Sequence, residues 1–94
     1  MSVNIIIPTP LRPYAGGQRT VWVDGATVGQ ALDALTSAYP DLRRHLYNED
    51  GKLRSFVNVY LGEEDVRFLN QHETSLEEGA TLSIVPSVAG GAHA

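Results

Sequence analysis

Residues 81–91 read Thr-Leu-Ser-Ile-Val-Pro-Ser-Val-Ala-Gly-Gly, and only Ala92, His93 and Ala94 follow them. Residues 81–85 predict a β-strand, because they combine β-branched and apolar side chains, and the proline after them is typical of a strand end. Glycine lacks a Cβ, so adjacent glycines adopt extended or positive-φ conformations and pass through a narrow channel. A strand followed by a diglycine near the terminus therefore indicates a chain whose end enters the active site of another protein.

The chain begins with the pattern of a hairpin. Val3, Ile5 and Ile7 alternate with Ser2, Asn4 and Ile6, which predicts a strand that Pro8 and Pro10 end. Residues 9–17 contain two prolines and two glycines, and we expect them to form a wide loop. Residues 19–23 are rich in β-branched and aromatic side chains and predict the second strand of the hairpin.

One long helix is predicted after the hairpin. Thr27 and Gln30 have the spacing of a capping box, in which both side chains satisfy free backbone N–H groups at a helix start. Pro40 ends the regular helix, and Leu42 and Leu46 share one face of a further short helical turn. The apolar positions that recur at helical spacing are Val28, Ala31, Leu32, Leu35, Ala38 and Tyr39.

The second half of the chain returns to strand patterns. Residues 56–61 predict a third strand, residues 62–65 a turn, and residues 66–69 a further short strand. A turn at residues 77–79 introduces the strand at 81–85. The order of elements predicts an α+β fold, with a mixed four- to five-stranded sheet and one main helix packed on one face.

Composition and charge restrict the class of protein. With 94 residues and 43% hydrophobic content, the chain holds one domain with a modest core. It has no cysteine, so it has neither a disulfide nor a thiolate metal site. Its net charge of −4 and scattered basic residues argue against nucleic-acid binding. It has neither a signal-peptide pattern nor an apolar run of membrane-spanning length, and we expect a cytoplasmic protein without membrane association.

The histidines do not predict a metal site. His45, His72 and His93 are far apart in sequence and lack the short spacing of metal ligands, which favours ordinary surface histidines. No nucleophile with a partner base and no acid–base pair is visible. We therefore predict no catalytic and no metal-binding residues in this chain.

A few conspicuous side chains have simple structural interpretations. Residues 63–65 (Glu-Glu-Asp) are predicted to form a solvated turn, with docking on a basic partner as the alternative. Arg43 and Arg44 are predicted to be a solvated pair. Trp22 and Phe56 are expected in the core or on a face of the sheet, although a chain with a reactive tail also needs an exposed apolar patch beside it.

Three segments carry a resemblance to a known family. They are residues 7–18, with Ile-Pro-Thr, Leu-Arg-Pro and Gly-Gly-Gln; residues 52–68, Lys-Leu-Arg-Ser-Phe-Val-Asn-Val-Tyr-Leu-Gly-Glu-Glu-Asp-Val-Arg-Phe; and residues 85–91, Val-Pro-Ser-Val-Ala-Gly-Gly. Together they resemble the ubiquitin-like β-grasp sulfur carriers, the group that includes ThiS, the small subunit of molybdopterin synthase, and CysO, and most of all the CysO type. The resemblance implies a β-grasp domain over residues 1–89, flexible from about residue 86, with residues 90–94 as tail.

The resemblance also implies a function for the tail. In such carriers an E1-like adenylating and sulfurtransferase enzyme uses ATP to adenylate the terminal glycine carboxylate, and sulfur then displaces AMP to give a thiocarboxylate. Here the residue that would bear sulfur is Gly91. Val88, Ala89, Gly90 and Gly91 would thread into the partner active sites.

The CysO type implies a particular route for the sulfur. Its thiocarboxylate attacks an activated serine derivative held by a pyridoxal-phosphate cysteine synthase, an acyl shift follows, and a JAMM-type zinc metallopeptidase releases cysteine. ATP, pyridoxal phosphate and zinc would all belong to partner enzymes, and we expect no cofactor on this chain.

The chain departs from the family pattern at its end. The terminal carboxylate is on Ala94, three residues beyond Gly91. We expect a peptidase to cut between Gly91 and Ala92 before activation, because the tail of Ala92, His93 and Ala94 offers no packing anchor. The alternative is that these three residues are an inert extension.

Other destinations and classes remain open from sequence alone. A secondary-metabolite, thiamin or molybdopterin pathway would use the same tail chemistry as cysteine synthesis. A non-covalent ubiquitin-like binding module is a further reading, and an enzyme is the least supported. Lys52 is the only lysine, so lysine-linked chains would have little substrate on this protein, although its conjugation to other proteins is compatible with the sequence.

Overall fold

A mixed sheet of five strands organises the protein in the computed structural model, which describes residues 1–86. The strands lie in the spatial order second, first, fifth, third, fourth. In chain order they are β1 (Ser2–Ile6), β2 (Thr20–Asp24), β3 (Val57–Leu61), β4 (Glu64–Asp65) and β5 (Thr81–Pro86). The helices are α1 (Val28–Ala38) and α2 (Arg43–Leu46), and 3₁₀ turns span Thr9–Ala15, Pro40–Leu42, Val66–Phe68 and Gln71–Glu73.

The last strand lies at the centre of the sheet. β5 runs parallel to β1, with Ile5 opposite Leu82, and antiparallel to β3, with Val59 opposite Ile84. β1 also pairs antiparallel with β2, as the hairpin prediction requires. The predicted α+β architecture is confirmed, and the sheet has five strands rather than four.

The core lies between the sheet and α1. Alternate residues of each strand face the helix, as the period of two in strands demands, and they meet the apolar stripe of α1. The fully buried side chains with the largest volumes are Val3, Ile5, Ile7, Val28, Leu32, Leu35, Leu42, Leu46, Val59 and Leu82. Leu42 and Leu46 therefore share the buried face that the sequence predicts for the short helical turn.

The predicted capping box forms, with one change of partner. Thr27 Oγ1 accepts a hydrogen bond from the Gln30 backbone N–H at 3.2 Å. The Gln30 side chain reaches back one residue further than in the usual motif, and its Oε1 accepts from the Ala26 N–H at 2.9 Å. Two backbone donors at the start of α1 are satisfied in this way.

The predicted loop at residues 9–17 is wrong for most of its length, because Thr9–Ala15 forms a 3₁₀ helix. Proline fixes φ near the helical value and is tolerated at the start of a helix, so Pro10 fits its first turn. Leu11 and Ala15 are buried, which fastens the turn to the core. Gly16, with φ of 67°, ends it in the left-handed conformation that glycine adopts without strain.

The predicted short strand at residues 66–69 is also wrong. The strand pairing with β3 is Glu64–Asp65, and Val66–Phe68 is a 3₁₀ turn. Asp65 causes this change, because its Oδ1 accepts a hydrogen bond from the Arg67 backbone N–H at 2.9 Å and caps the turn. Asp65 is buried, so the prediction of a solvated turn at 63–65 fails for this residue.

Gly25 is required by close packing between the end of β2 and α1. A Cβ on Gly25 would lie 2.7 Å from the Ala31 backbone nitrogen and 2.9 Å from its Cα. We expect Gly25→Ala to lower the free energy of unfolding by about 1–3 kcal/mol, because main chain must move to admit the methyl group. Urea denaturation followed by circular dichroism measures the change.

Gly17→Ala is the matched control for this glycine. Gly17 has a φ of 75° and open space where a Cβ would lie, so the substitution imposes only the left-handed backbone cost of about 1–2 kcal/mol. If the Gly25→Ala protein is as stable as the wild type while Gly17→Ala is weakened, close packing at Gly25 is not a constraint.

Within residues 1–86, no helix is long and apolar enough to cross a bilayer.

Candidate functional site

The candidate site is the surface from which the tail continues. β5 ends at Pro86, which lies opposite Val57 at the start of β3. The root of the tail is therefore held by β3, whereas the pairing of β5 with β1 ends earlier, at Ser83 opposite Ile6. The predicted site residues Val88, Ala89, Gly90, Gly91 and Ala92 lie outside the described residues, as does the predicted domain boundary at residue 89.

One face of the sheet is uncovered beside this root. We call Ile6, Trp22 and Val85 the open sheet face, because the alternation of the strands directs all three away from α1. The Trp22 side chain is 62% exposed and Val85 is 43% exposed. Trp22 thus lies on a face of the sheet, which is one of the two placements predicted for it. The exposed apolar patch that was expected beside a reactive tail is also present.

A cleft lies on another side of the tail root. It has a volume of about 590 Å³, and we call it the tail-root cleft. Its lining residues come from four separate segments, and they are Pro10, Leu11, Arg44, His45, Arg54, Phe56, Val57 and Pro86. Most of this wall is apolar, and the charged groups on it are basic.

Arg54 is fixed in this cleft by the main chain of α2. Its backbone N–H donates to the Leu46 carbonyl at 2.8 Å, and its Nε donates to the Arg44 carbonyl at 2.9 Å. His45 stacks on Tyr14 with ring centroids 4.1 Å apart, and its buried Nε2 has no hydrogen-bond partner. These contacts hold two basic side chains beside Pro86.

A second cavity of about 550 Å³ lies between residues 51–55, β3 and the two short turns after β4. Arg67 lines it, and its Nη2 donates to Asp65 Oδ2 at 3.0 Å and also to Asn58 Oδ1. The hydrogen bonds from Arg67 hold the pKa of Asp65 below its ordinary value, and the same pairing raises the pKa of Arg67. Arg67 is therefore paired with a carboxylate, whereas Arg54 forms no ion pair within residues 1–86.

The two described histidines have separate structural roles. His72 Nε2 lies 3.2 Å from the Tyr47 hydroxyl, whereas His45 stacks on Tyr14 on a different side of α2. In the part of the chain that the structure describes, no group of three histidine, cysteine or acidic residues is placed to hold a metal ion.

Both members of the predicted solvated arginine pair are exposed, and Arg43 also contacts an aromatic ring. The Arg43 guanidinium lies 5.2 Å from the centroid of the Tyr47 ring, a cation–π contact that packs it against the domain. The Arg44 side chain is 67% exposed and faces Asp41 at 3.8 Å. Adjacent positions on α2 point in different directions, so only one of the two arginines reaches the tail-root cleft.

Tyr47 makes the stability of the folded domain depend on pH in the alkaline range. Burial raises the pKa of Tyr47 to about 12, with a smaller contribution from Asp33, from an ordinary value of 10.0. Because the folded state favours the neutral phenol, this stabilisation is complete below pH 10 and is lost as pH rises toward 12. We expect wild type to lose about 1–2 kcal/mol relative to Tyr47→Phe over that range, after allowance for solvent screening.

Urea midpoints measured below pH 10 and near pH 12 test this expectation. Tyr60→Phe is the control, because it removes a phenol hydroxyl from a half-exposed position on β3. A stability difference between wild type and Tyr47→Phe that stays constant with pH would show that burial of Tyr47 has no such effect.

Comparison with known proteins places the chain in a family. Residues 5–91 match the ThiS family. The chain belongs to the ThiS family. It is 41% identical to the sulfur carrier protein CysO of Mycobacterium tuberculosis over 93 residues, which cover 97% of this chain and 100% of that protein. It is 37% identical to small archaeal modifier protein 3 of Haloferax volcanii, with the same coverage.

A solved structure supports the same assignment. CysO in the Amycolatopsis orientalis BexX/CysO complex superimposes with a TM-score of 0.85 at 43% identity, covering 95% of this chain and 99% of that one. The predicted ubiquitin-like β-grasp fold and the CysO-like resemblance are confirmed. Because CysO is named as a sulfur carrier protein and this chain belongs to the ThiS family, the prediction of a carrier rather than an enzyme is confirmed as well.

The tail-root cleft is the functional surface that the sequence did not reveal. Arg44 and Arg54 are ten positions apart, and Pro10 and Pro86 belong to still other segments. Their meeting depends on the 3₁₀ helix at Thr9–Ala15, which the sequence predicts as loop, and on the return of the chain after α2. The basic dipeptide at Arg43 and Arg44 was the only local signal.

Proposed function

We propose that this sulfur carrier bears sulfur as a thiocarboxylate on Gly91. The family match ends at Gly91 and leaves Ala92, His93 and Ala94 outside it, and this is the observation that supports the proposal most directly. The chain is 41% identical to CysO over the full length of that relative, and Gly91 lies five residues beyond Pro86, the last described residue of β5. The folded domain then provides the surface that partner enzymes bind while the reactive end enters their active sites.

The chemistry requires activation because a carboxylate is a poor electrophile at neutral pH. The Gly91 carboxylate attacks the α-phosphate of ATP on an E1-like adenylating enzyme, which releases pyrophosphate and leaves an acyl-adenylate. A sulfur nucleophile then attacks the acyl carbon and AMP leaves. The product thiocarboxylate is a softer and more nucleophilic group than the original acid.

Processing precedes activation in this proposal. The peptide bond between Gly91 and Ala92 must open before Gly91 has a carboxylate, and a JAMM-type zinc metallopeptidase is the class of enzyme that we propose for the cut. Ala92, His93 and Ala94 are small or polar, which suits a segment that a peptidase must take up in extended form.

Cysteine synthesis is the destination that we propose for the sulfur. The thiocarboxylate would attack an activated serine derivative on a pyridoxal-phosphate cysteine synthase, and the supporting observation is the similarity to CysO. A secondary-metabolite pathway is the alternative, and thiamin or molybdopterin synthesis would need the same tail. The Amycolatopsis CysO was solved in complex with a partner named BexX, so a relative binds a second protein.

Protein modification is a second candidate function. Small archaeal modifier proteins 3 and 1 of Haloferax volcanii are 37% and 40% identical to this chain. The same acyl-adenylate would then be attacked by an amine of another protein, and the product would be an amide in place of a thiocarboxylate. A non-covalent ubiquitin-like module would use the domain surface alone and would not need Gly91.

Intact-mass spectrometry of the tail tests the sulfur-carrier proposal. A chain that ends at Gly91 is incubated with the adenylating enzyme of the same organism, ATP and sulfide. We expect the mass to rise by the exchange of one oxygen for sulfur, and we expect the 94-residue chain to remain unchanged until it is cut after Gly91. Gly91→Ala in the shortened chain should lower the rate about 100-fold, because it displaces the reacting carboxylate.

Ser87→Ala is the control for a change in the tail that leaves the diglycine intact, and it should react at the wild-type rate. Sulfur on the uncut chain, or on a chain lacking Gly91, would contradict the proposal. An amide-linked adduct on another protein, with no thiocarboxylate, would favour the modifier function instead.

A further inference from the structure

The two ends of the sheet carry opposite charge. β5 ends and β3 begins at the end that bears the tail, which we call the tail pole. Because β1 runs parallel to β5 and β2 antiparallel to it, β1 also ends and β2 also begins there. The arginines at or next to the tail pole are Arg12, Arg19, Arg44 and Arg54. The acidic residues that flank strand ends at the opposite pole are Asp24, Glu63, Glu64, Glu77 and Glu78.

This distribution of charge would offset an electrostatic repulsion in the proposed reaction. The reacting carboxylate of Gly91 is negative, and so are the phosphates of the ATP that it must attack. A protein with a net charge of −4 would be repelled from a nucleotide-loaded site unless positive charge surrounded its tail. Basic groups at the tail pole orient the encounter so that the tail arrives first.

The tail-root cleft concentrates that charge at one place. Pro10, Leu11 and Phe56 form apolar wall, and Arg44 and Arg54 add positive charge to it. Arg54 uses its Nε on the Arg44 carbonyl, and within residues 1–86 it forms no ion pair. Arg44 has only the 3.8 Å contact with Asp41, and both side chains are more than two-thirds exposed, so this pair exchanges readily for another carboxylate.

The length of the tail brings the cleft into contact with any enzyme that holds Gly91. Residues 87–91 span at most about 18 Å when fully extended. An enzyme with the Gly91 carboxylate in its active site therefore presents the mouth of that site to the surface around Pro86. The tail-root cleft belongs to this surface, because Pro86 is one of its walls.

We propose that the tail-root cleft is a docking site for an apolar side chain flanked by carboxylates at the mouth of the adenylating enzyme's active site. The apolar side chain would fill the space beside Phe56, and the carboxylates would pair with Arg44 and Arg54. This inference rests on the proposed function, since it assigns a partner surface to the same tail.

Charge reversals matched in size test the cleft. In a chain ending at Gly91, Arg44→Glu, Arg54→Glu and Lys52→Glu each change the net charge equally, but Lys52 lines the other cavity and not the cleft. Binding to the adenylating enzyme of the same organism is measured by biolayer interferometry, and turnover by ATP–pyrophosphate exchange. We expect both arginine variants to raise the Kd and the KM about tenfold with kcat unchanged, and Lys52→Glu to change them less than twofold.

Phe56 and Phe68 provide a matched pair for the apolar part. Phe56 is 40% exposed in the cleft, whereas Phe68 is 87% exposed outside it. Phe56→Ser should weaken binding about tenfold and Phe68→Ser should not. Circular dichroism melts verify that each variant folds, and Arg44→Glu carries the test even if Arg54→Glu unfolds, because the Arg44 side chain makes no hydrogen bond within residues 1–86.

The possible outcomes distinguish a failure of the docking proposal from a failure of the proposed function. Equal losses of affinity for Arg44→Glu and Lys52→Glu would overturn the docking proposal and leave net charge as the explanation. An unchanged Kd for both Arg44→Glu and Phe56→Ser would also overturn it. If the wild-type chain binds with the expected pattern of losses but supports no pyrophosphate exchange, the docking site stands and the proposed activation fails.

Discussion

The pairing of β5 with both β1 and β3 is the constraint on which the rest of the structure depends. Leu82 and Ile84 are buried on the helix side of this strand, and its backbone is hydrogen-bonded on both edges. The tail therefore continues from a strand that is paired with a neighbour on each side. The same pairing brings the first strand of the chain beside the last, so that the segment after β1 and the segment before β3 meet at Pro86.

The sequence predicted those elements whose causes are local. The alternation of Val3 and Ile5, and the cap formed by Thr27, depend on residues within one turn or strand, and the structure contains both. The failures occurred where a distant or side-chain contact decided between two local options. Residues 9–15 look like a loop because of their prolines, yet burial of Leu11 selects a 3₁₀ helix, and the Asp65 carboxylate converts a strand-like segment into a capped turn.

The candidate site likewise has a part that the sequence predicts and a part that it does not. The diglycine and the similarity to sulfur carriers could be recognised from the sequence, because a tail acts through its own residues and does not depend on a tertiary arrangement. The tail-root cleft could not be predicted from the sequence, because Arg54 reaches the Arg44 carbonyl only in a fold where residues 47 and 53 pair across a polar turn. Its basic members looked like ordinary solvated charges until the fold placed an apolar wall beside them.

The proposed thiocarboxylate or acyl-adenylate at Gly91 would be chemically the same in every complex, so the tail by itself would not distinguish one enzyme from another. Selectivity must come from the surfaces that meet each enzyme at the root of the tail. The domain offers two of different character: the open sheet face of Ile6, Trp22 and Val85, which bears no charge of its own, and the tail-root cleft with Arg44 and Arg54. An uncharged apolar contact persists at high salt, whereas a contact through exposed arginines weakens with it. Enzymes that hold the carrier by different surfaces would therefore differ in their salt dependence although they receive the same tail.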